Sequence, residues 1–284
     1  MSIFDGLGKF GLGDLAESNL FEEEKKNEEN AKGGATATKT PEEIEAEMLL
    51  DKKYKCPQCD KEFTSKVVRS GKAKPIGQDV DLRTKYENID CTKYDVIMCP
   101  NCGYAALPRF FNGCTPPQLK LIKDNISLKF QKKEYTGAIY TYDEALERYQ
   151  MALINALVKK GKASEKAFIC LKSSWVIRGK IESLDPEKDA EEIKKLQAQE
   201  KEFVKNAFDG FANARSSESY PMCGMDEYTI DYLIAVLAMK NEKYDIAMRM
   251  LGGVITARTV NKRLKEKAQD LKEEIVKEKK AHEA

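Results

Sequence analysis

After Thr115 and a pair of prolines, apolar residues recur at the three- and four-residue intervals of an amphipathic helix, and the pattern continues to the C-terminus. Phe168, Leu171 and Trp175 mark one helix; Ile193, Leu196, Phe203, Ala207, Phe208 and Phe211 mark a longer one. Ile230, Leu233, Ile234 and Leu237 form an i, i+3, i+4, i+7 stripe, and Tyr244, Ala247, Leu251 and Val254 form the next. Residues 227–254 are therefore predicted to be an antiparallel helix pair closed by the polar turn at 240–243. On the last, highly charged helix, Val260, Leu264, Leu271 and Ile275 give a narrow apolar stripe, as a solvent-facing cap needs. Upstream, Tyr135, Ala138, Tyr142 and Ala145 repeat the spacing of the Tyr244 set after similarly polar leads, QKKE and KNEK. That match predicts an internal helical repeat with irregular spacing between copies.

The first part of the chain is patterned differently. Ile3, Phe4, Leu7, Phe10, Leu12, Leu15, Leu20 and Phe21 form an apolar, glycine-hinged tail ahead of an acidic run, read as disordered or as a segment that docks in a groove. The G-x-G-x-x-G letters at Gly6, Gly8 and Gly11 lack the preceding strand that a nucleotide-binding loop needs. From 27 to 40 the chain is polar and small, a linker. Thr40, Pro41 and Glu43 make a capping box with proline at the first helical position, which predicts a short helix from Pro41 toward Lys52. Residues 54–111 hold β-prone stretches (FTSKVV, YDVIM) and the turn-like SGKAKPIG, which predicts hairpins.

The chemistry of that region lies in its cysteines. Cys56-Pro-Gln-Cys59 and Cys99-Pro-Asn-Cys102-Gly103 are matched C-P-x-C turns, each able to converge two thiolates on one cation. Proline presets φ within each turn, and Gly103 tolerates a positive one. Four soft ligands of this kind suit a structural Zn²⁺, with iron as the alternative. A catalytic zinc is disfavoured, because four thiolates leave no open position. Cys91 and Cys114 are read as spare buried thiols rather than accessory ligands, and Cys170 and Cys223 as structural residues in helical territory. His282 is the only histidine in the 284 residues, so histidine-dependent nucleophilic or hydrolytic catalysis has no candidate, and the chain is read as a non-enzyme.

Composition changes this picture only in part. With 42% hydrophobic and 33% charged residues the chain is of soluble type, no apolar run is long enough to span a bilayer, and the expected address is the cytoplasm. There, cysteine pairs are better read as metal-binding than as disulfides. The formal net charge is +1. Residues 1–50 carry −7 and residues 51–118 carry +4, of which a tetrathiolate zinc centre would remove two. Lys66, Arg69, Lys72 and Lys74 offer a phosphate contact, but without interleaved aromatics a solvated hairpin tip is the reading. Asp79 and Asp81 form an Asp-x-Asp pair that could bind a cation, but alternate exposed carboxylates on a strand are the reading.

The knuckle pair, the segment DVDLRTKY, the run YDVIMCPNCGYAALPRF and the tyrosine-rich helices after them resemble an uncharacterised bacterial family with no assigned activity. Over roughly residues 45–255, the resemblance implies a four-cysteine zinc ribbon fused to a tetratricopeptide-like helical domain. In that motif's terms Tyr244, Ala247 and Leu251 match the second helix, while Asp231 or Tyr232 and Ala235 match the first poorly. The expected fold class is α+β: an acidic tail at 1–40, a zinc-ribbon domain with a leading helix at 41–115, and a helical array at 116–284. The expected function is a non-enzymatic scaffold that presents the helices to a protein or peptide, without membrane contact. A nucleic-acid-binding zinc ribbon and a rubredoxin-like redox protein, with iron on the four thiolates, are the alternatives.

Overall fold

The computed structural model describes residues 39–283. A short helix α1 (Pro41–Glu47) leads into three antiparallel hairpins: β1 (Leu49–Lys55) with β2 (Glu62–Val68), β3 (Pro75–Gln78) with β4 (Thr84–Tyr86), and β5 (Ile97–Met98) with β6 (Ala105–Ala106). Two short helices follow, α2 (Pro108–Phe111) and α3 (Pro116–Ile122), the latter running into a π-turn at Lys123–Ser127. Then come α4 (Tyr142–Val158), α5 (Ala163–Ser183), α6 (Ala190–Ser217), α7 (Glu227–Lys240), α8 (Tyr244–Thr256) and α9 (Lys262–Glu283). The fold class is α+β, with hairpins first and a helical array after them.

Several elements differ from their sequence patterns, each for a physical reason. The leading helix stops at Glu47 instead of reaching Lys52, because Leu49 to Lys55 pair residue for residue with Val68 to Glu62. Pairing in a hairpin closed by a knuckle outweighs the helix propensity of LLDKKYK, which is rich in Leu and Lys. In SGKAKPIG only the first half is a turn, with Gly71 at φ +76°, and Pro75 already begins β3. The basic residues Lys66 to Lys74 therefore sit at the end of the first hairpin remote from its tip, since the tip is the first knuckle.

Tyr135 and Ala138 do not share a helix with Tyr142 and Ala145, so the predicted upstream copy of the repeat is absent. A reciprocal capping box between Thr141 and Glu144 starts α4 at Tyr142. The segment before it is an irregular strap held by the buried Arg148 of α4. The guanidinium carbon lies 4.3 Å from the Tyr140 ring centroid and 5.5 Å from that of Tyr135. The Tyr140 hydroxyl in turn accepts from the Lys66 amide at 3.1 Å. Arg148 also donates to Ser65 Oγ of β2 and to the Val96 carbonyl before β5, so one side chain ties α4 to two hairpins.

The later helices follow their stripes. On α7, Ile230, Leu233, Ile234 and Leu237 are buried, but so are Tyr232, Ala235, Val236 and Ala238, which makes α7 the central rod of the array. Ala247, Leu251 and Val254 of α8 close on it after a turn at Asn241. Leu264, Ala268, Leu271 and Ile275 bury one face of α9, while Val260 precedes the helix. Trp175, the sole tryptophan, lies in this core with Lys172 Nζ 5.1 Å from its ring centroid and its indole nitrogen without a hydrogen-bond partner.

The hairpin β5–β6 positions the site. Its residues alternate in direction with the period of a pleated strand. Ile97 and Ala106 face a core containing the cysteines. Val96, Met98 and Ala105 face Ala145, Tyr149, Ala152 and Ala156 of α4. The small alanines let α4 approach the hairpin backbone closely, so two cores meet across one two-stranded ribbon. From Pro41 onward the chain forms one compact unit.

Candidate metal centre

Both knuckles are hairpin tips of the same construction. In the first, the Cys56 amide donates to the Lys61 carbonyl and the Asp60 amide to the Cys56 carbonyl, at 3.0 and 2.9 Å. In the second, the Cys99 amide donates to the Tyr104 carbonyl and the Gly103 amide to the Cys99 carbonyl, at 2.8 and 3.0 Å. The residue after each second cysteine is left-handed, Asp60 at φ +59° and Gly103 at φ +71°. Aspartate tolerates that conformation, but at Gly103 a Cβ would also come within 2.5 Å of the Phe130 ring, so only glycine fits.

This geometry brings the sulfurs of Cys56, Cys59, Cys99 and Cys102 together, all within 4.8 Å of one another. The cross-knuckle contacts are 3.6 Å for Cys56 with Cys102 and 3.7 Å for Cys59 with Cys99. A disulfide needs about 2.05 Å. A tetrahedral centre with sulfurs about 2.3 Å from the metal has edges of about 3.8 Å, close to what the four sulfurs adopt. Hydrogen bonds from Cys102 and then Cys56 hold the Cys99 thiol well below its ordinary range, while hydrogen bonds with Cys56 and then Cys99, together with burial, push Cys102 up. One thiolate is thus stabilised by its neighbours' protons, and further ionisation is opposed by charge repulsion unless a cation is shared. The donor set fits a metal ion.

The surroundings are apolar and aromatic. Tyr54, Phe63, Phe111 and Tyr104 form a chain of ring contacts with centroids 5.2–6.3 Å apart. Ile122 and Ile126, from α3 and the π-turn, complete the enclosure. Tyr104 donates its hydroxyl to the Phe111 carbonyl at 2.6 Å, and Asn155 of α4 donates Nδ2 to the Gly103 carbonyl at 2.9 Å. The helical array therefore grips the second knuckle by its backbone.

Over residues 49–275 the chain matches the bacterial family DUF2225, described as an uncharacterized protein conserved in bacteria. The chain belongs to DUF2225. No curated protein and no solved structure matches it.

In this DUF2225 chain the segment DVDLRTKY is an ion-pair hub, and the reading of exposed carboxylates is corrected. Asp81 is fully buried, while the apolar neighbour Val80 is exposed. Arg178 of α5 donates to both Asp81 oxygens at 3.1 and 2.7 Å, and Lys240 of α7 donates at 3.1 Å. Burial alone would raise the Asp81 carboxyl, but the hydrogen bonds from Arg178 and the charge of Lys240 bring it down to about 2. Arg83, also buried, donates to Glu182 at 2.9 Å. The protein's own cations occupy the carboxylates read as a possible metal site. The sequence singled out this segment only by resemblance; its ion pairing was not readable, because burial there runs opposite to side-chain polarity.

Among the other cysteines, Cys91 and Cys114 lie outside the cluster. Cys114 instead contacts the Tyr104 hydroxyl at 3.3 Å and Lys159 Nζ at 3.8 Å. Cys170 is buried in α5. Cys223 is not helical: it sits in the turn before α7 at φ +51°. Of the basic residues near the first hairpin, Lys66 pairs with Asp51 and Lys74 with Glu87. The tail and its glycine motif lie outside the described residues. Among the described residues no helix is long and apolar enough to cross a membrane.

Proposed function

We propose that this DUF2225 chain is a non-enzymatic adaptor whose first module is held by a structural zinc ion on Cys56, Cys59, Cys99 and Cys102, and whose helices present a surface to a protein partner. The closed set of four thiols, in a core that buries Cys56, Cys99 and Cys102, carries this reading. Such a shell keeps no position for substrate or water. Zinc bound there supplies cross-linking of two hairpins, worth on the order of 10–16 kcal/mol in isolated fingers. The partner surface is the groove between α4, α5 and α6, where Leu157 stands 57% exposed. Nucleic-acid binding is less well supported, since ion pairs offset part of the basic charge near the first hairpin.

Elemental analysis of chelator-free protein is expected to find one zinc per chain in a colourless sample, and affinity capture from native lysate to lose a partner with a Leu157→Glu bait. A red, iron-containing protein would overturn the metal assignment, and identical captures on both baits would overturn the adaptor reading.

A further inference from the structure

The groove has a definite construction. Its apolar lining is Ala163, Ala167 and Cys170 of α5, Phe203 and Gly210 of α6, and Leu153 and Leu157 of α4. A Cβ on Gly210 would meet that of Ala167 at 2.8 Å, so the two helices touch through small residues. The resulting space is about 600 Å³.

The long wall on α6 is polar and regular. Gln199, Glu202, Asn206, Asp209 and Asn213 face the groove at steps of three and four residues, the spacing of a coiled-coil seam. At 1.5 Å per residue that stripe runs about 21 Å, or four helical turns. Across the width the charges differ in sign: Glu202 and Asp209 stand on the α6 side, and Lys166 on the α5 side.

From this we infer that the groove receives an amphipathic helix of a partner protein, with a basic flank toward α6 and an acidic flank toward α5. The inference rests on the adaptor reading and gives its partner a chemistry. A helix laid along α6 keeps the 3.5-residue repeat in register over the whole stripe, and its leucine-type anchors enter between Leu153, Leu157 and Phe203. Lysine or arginine on one flank meets Glu202 and Asp209, while glutamate on the other meets Lys166. These rim charges set orientation more than affinity.

The test uses the full-length, metal-loaded chain and labelled synthetic peptides of about 18 residues, long enough to span the stripe as a helix, followed by fluorescence anisotropy. One peptide has leucines at heptad a and d positions, lysines along one flank and glutamates along the other. A second scrambles the same residues, and a third carries interspersed prolines that keep it extended. The helical peptide is expected to bind at least tenfold more tightly than either control, and Leu157→Glu to weaken it at least tenfold. Because Leu157 is largely exposed, circular dichroism is expected to show that variant folded. The double variant Glu202→Lys, Asp209→Lys is expected to prefer a peptide whose basic flank is replaced by glutamate. Equal binding of helical and scrambled peptides, or indifference to Leu157→Glu, would sink the inference. Should the extended peptide bind best and depend on Leu157, the helical partner is wrong while the adaptor reading stands. If no peptide binds, the inference falls, while the adaptor reading is decided by the lysate capture with the Leu157→Glu bait.

Discussion

Gly103 and Asp60 occupy equivalent places in the two knuckles, yet they predict opposite sensitivities. Gly103→Ala is expected to cost at least about 1–2 kcal/mol for the left-handed backbone, plus the clash with Phe130, and to weaken metal retention. Asp60→Gly is expected to stay within about 1 kcal/mol of wild type, since its exposed pair with Lys55 is worth little. Urea unfolding with metal analysis checks both. Asp81 predicts a pH dependence. Its folded-state carboxyl, at about 2, lies below the unfolded value of about 3.9. Its stabilisation, roughly 2 kcal/mol, is therefore complete above pH ~4 and lost as the pH falls toward 2. Asp81→Asn is expected to be less stable at neutral pH and to flatten that acid limb; an unchanged limb would mean that the hub adds no linkage. The contrast between these sites explains what was readable. The knuckles announce themselves because cation chemistry demands particular residues at short spacing. The hub joins Asp81, Arg178 and Lys240, far apart in the chain, and nothing local encodes their meeting.

At the scale of elements, the hairpin β5–β6 depends on α4 for its position. Asn155→Ala leaves the Gly103 carbonyl without its donor in a buried site and is expected to cost about 1–3 kcal/mol, with the metal still bound. Zinc content and a denaturant midpoint, measured on the same sample, distinguish that loss from collapse of the centre. Helices α5 to α9 were legible because each buries a continuous stripe over three or more turns. The strap at 131–141 was not. Tyr135 has helical spacing with Tyr142, but Tyr135 and Tyr140 are spent on Arg148, and the capping box at Thr141 decides where the helix begins. Leu49 to Lys55 failed for a similar reason, since pairing with the next strand of the hairpin outweighed local preference. The small residues at the α5–α6 contact carried no apolar stripe, so the groove they open was not foreseeable either.

For the molecule as a whole, a shared hairpin means shared fate. Ribbon and array are expected to unfold in one transition, with calorimetric and van't Hoff enthalpies in agreement, and removal of the metal is expected to lower that single transition. Two separate transitions would show that the cores are independent despite their contact. The means of watching this are already in the chain. Trp175 lies in the helical core and the sulfurs lie across the hairpin from α4, so indole emission would gauge the helical core and, with a metal on the four sulfurs, metal–thiolate ultraviolet absorption would gauge the cysteine core. Recorded together during chelation, they time the loss of one core against the other without any attached dye.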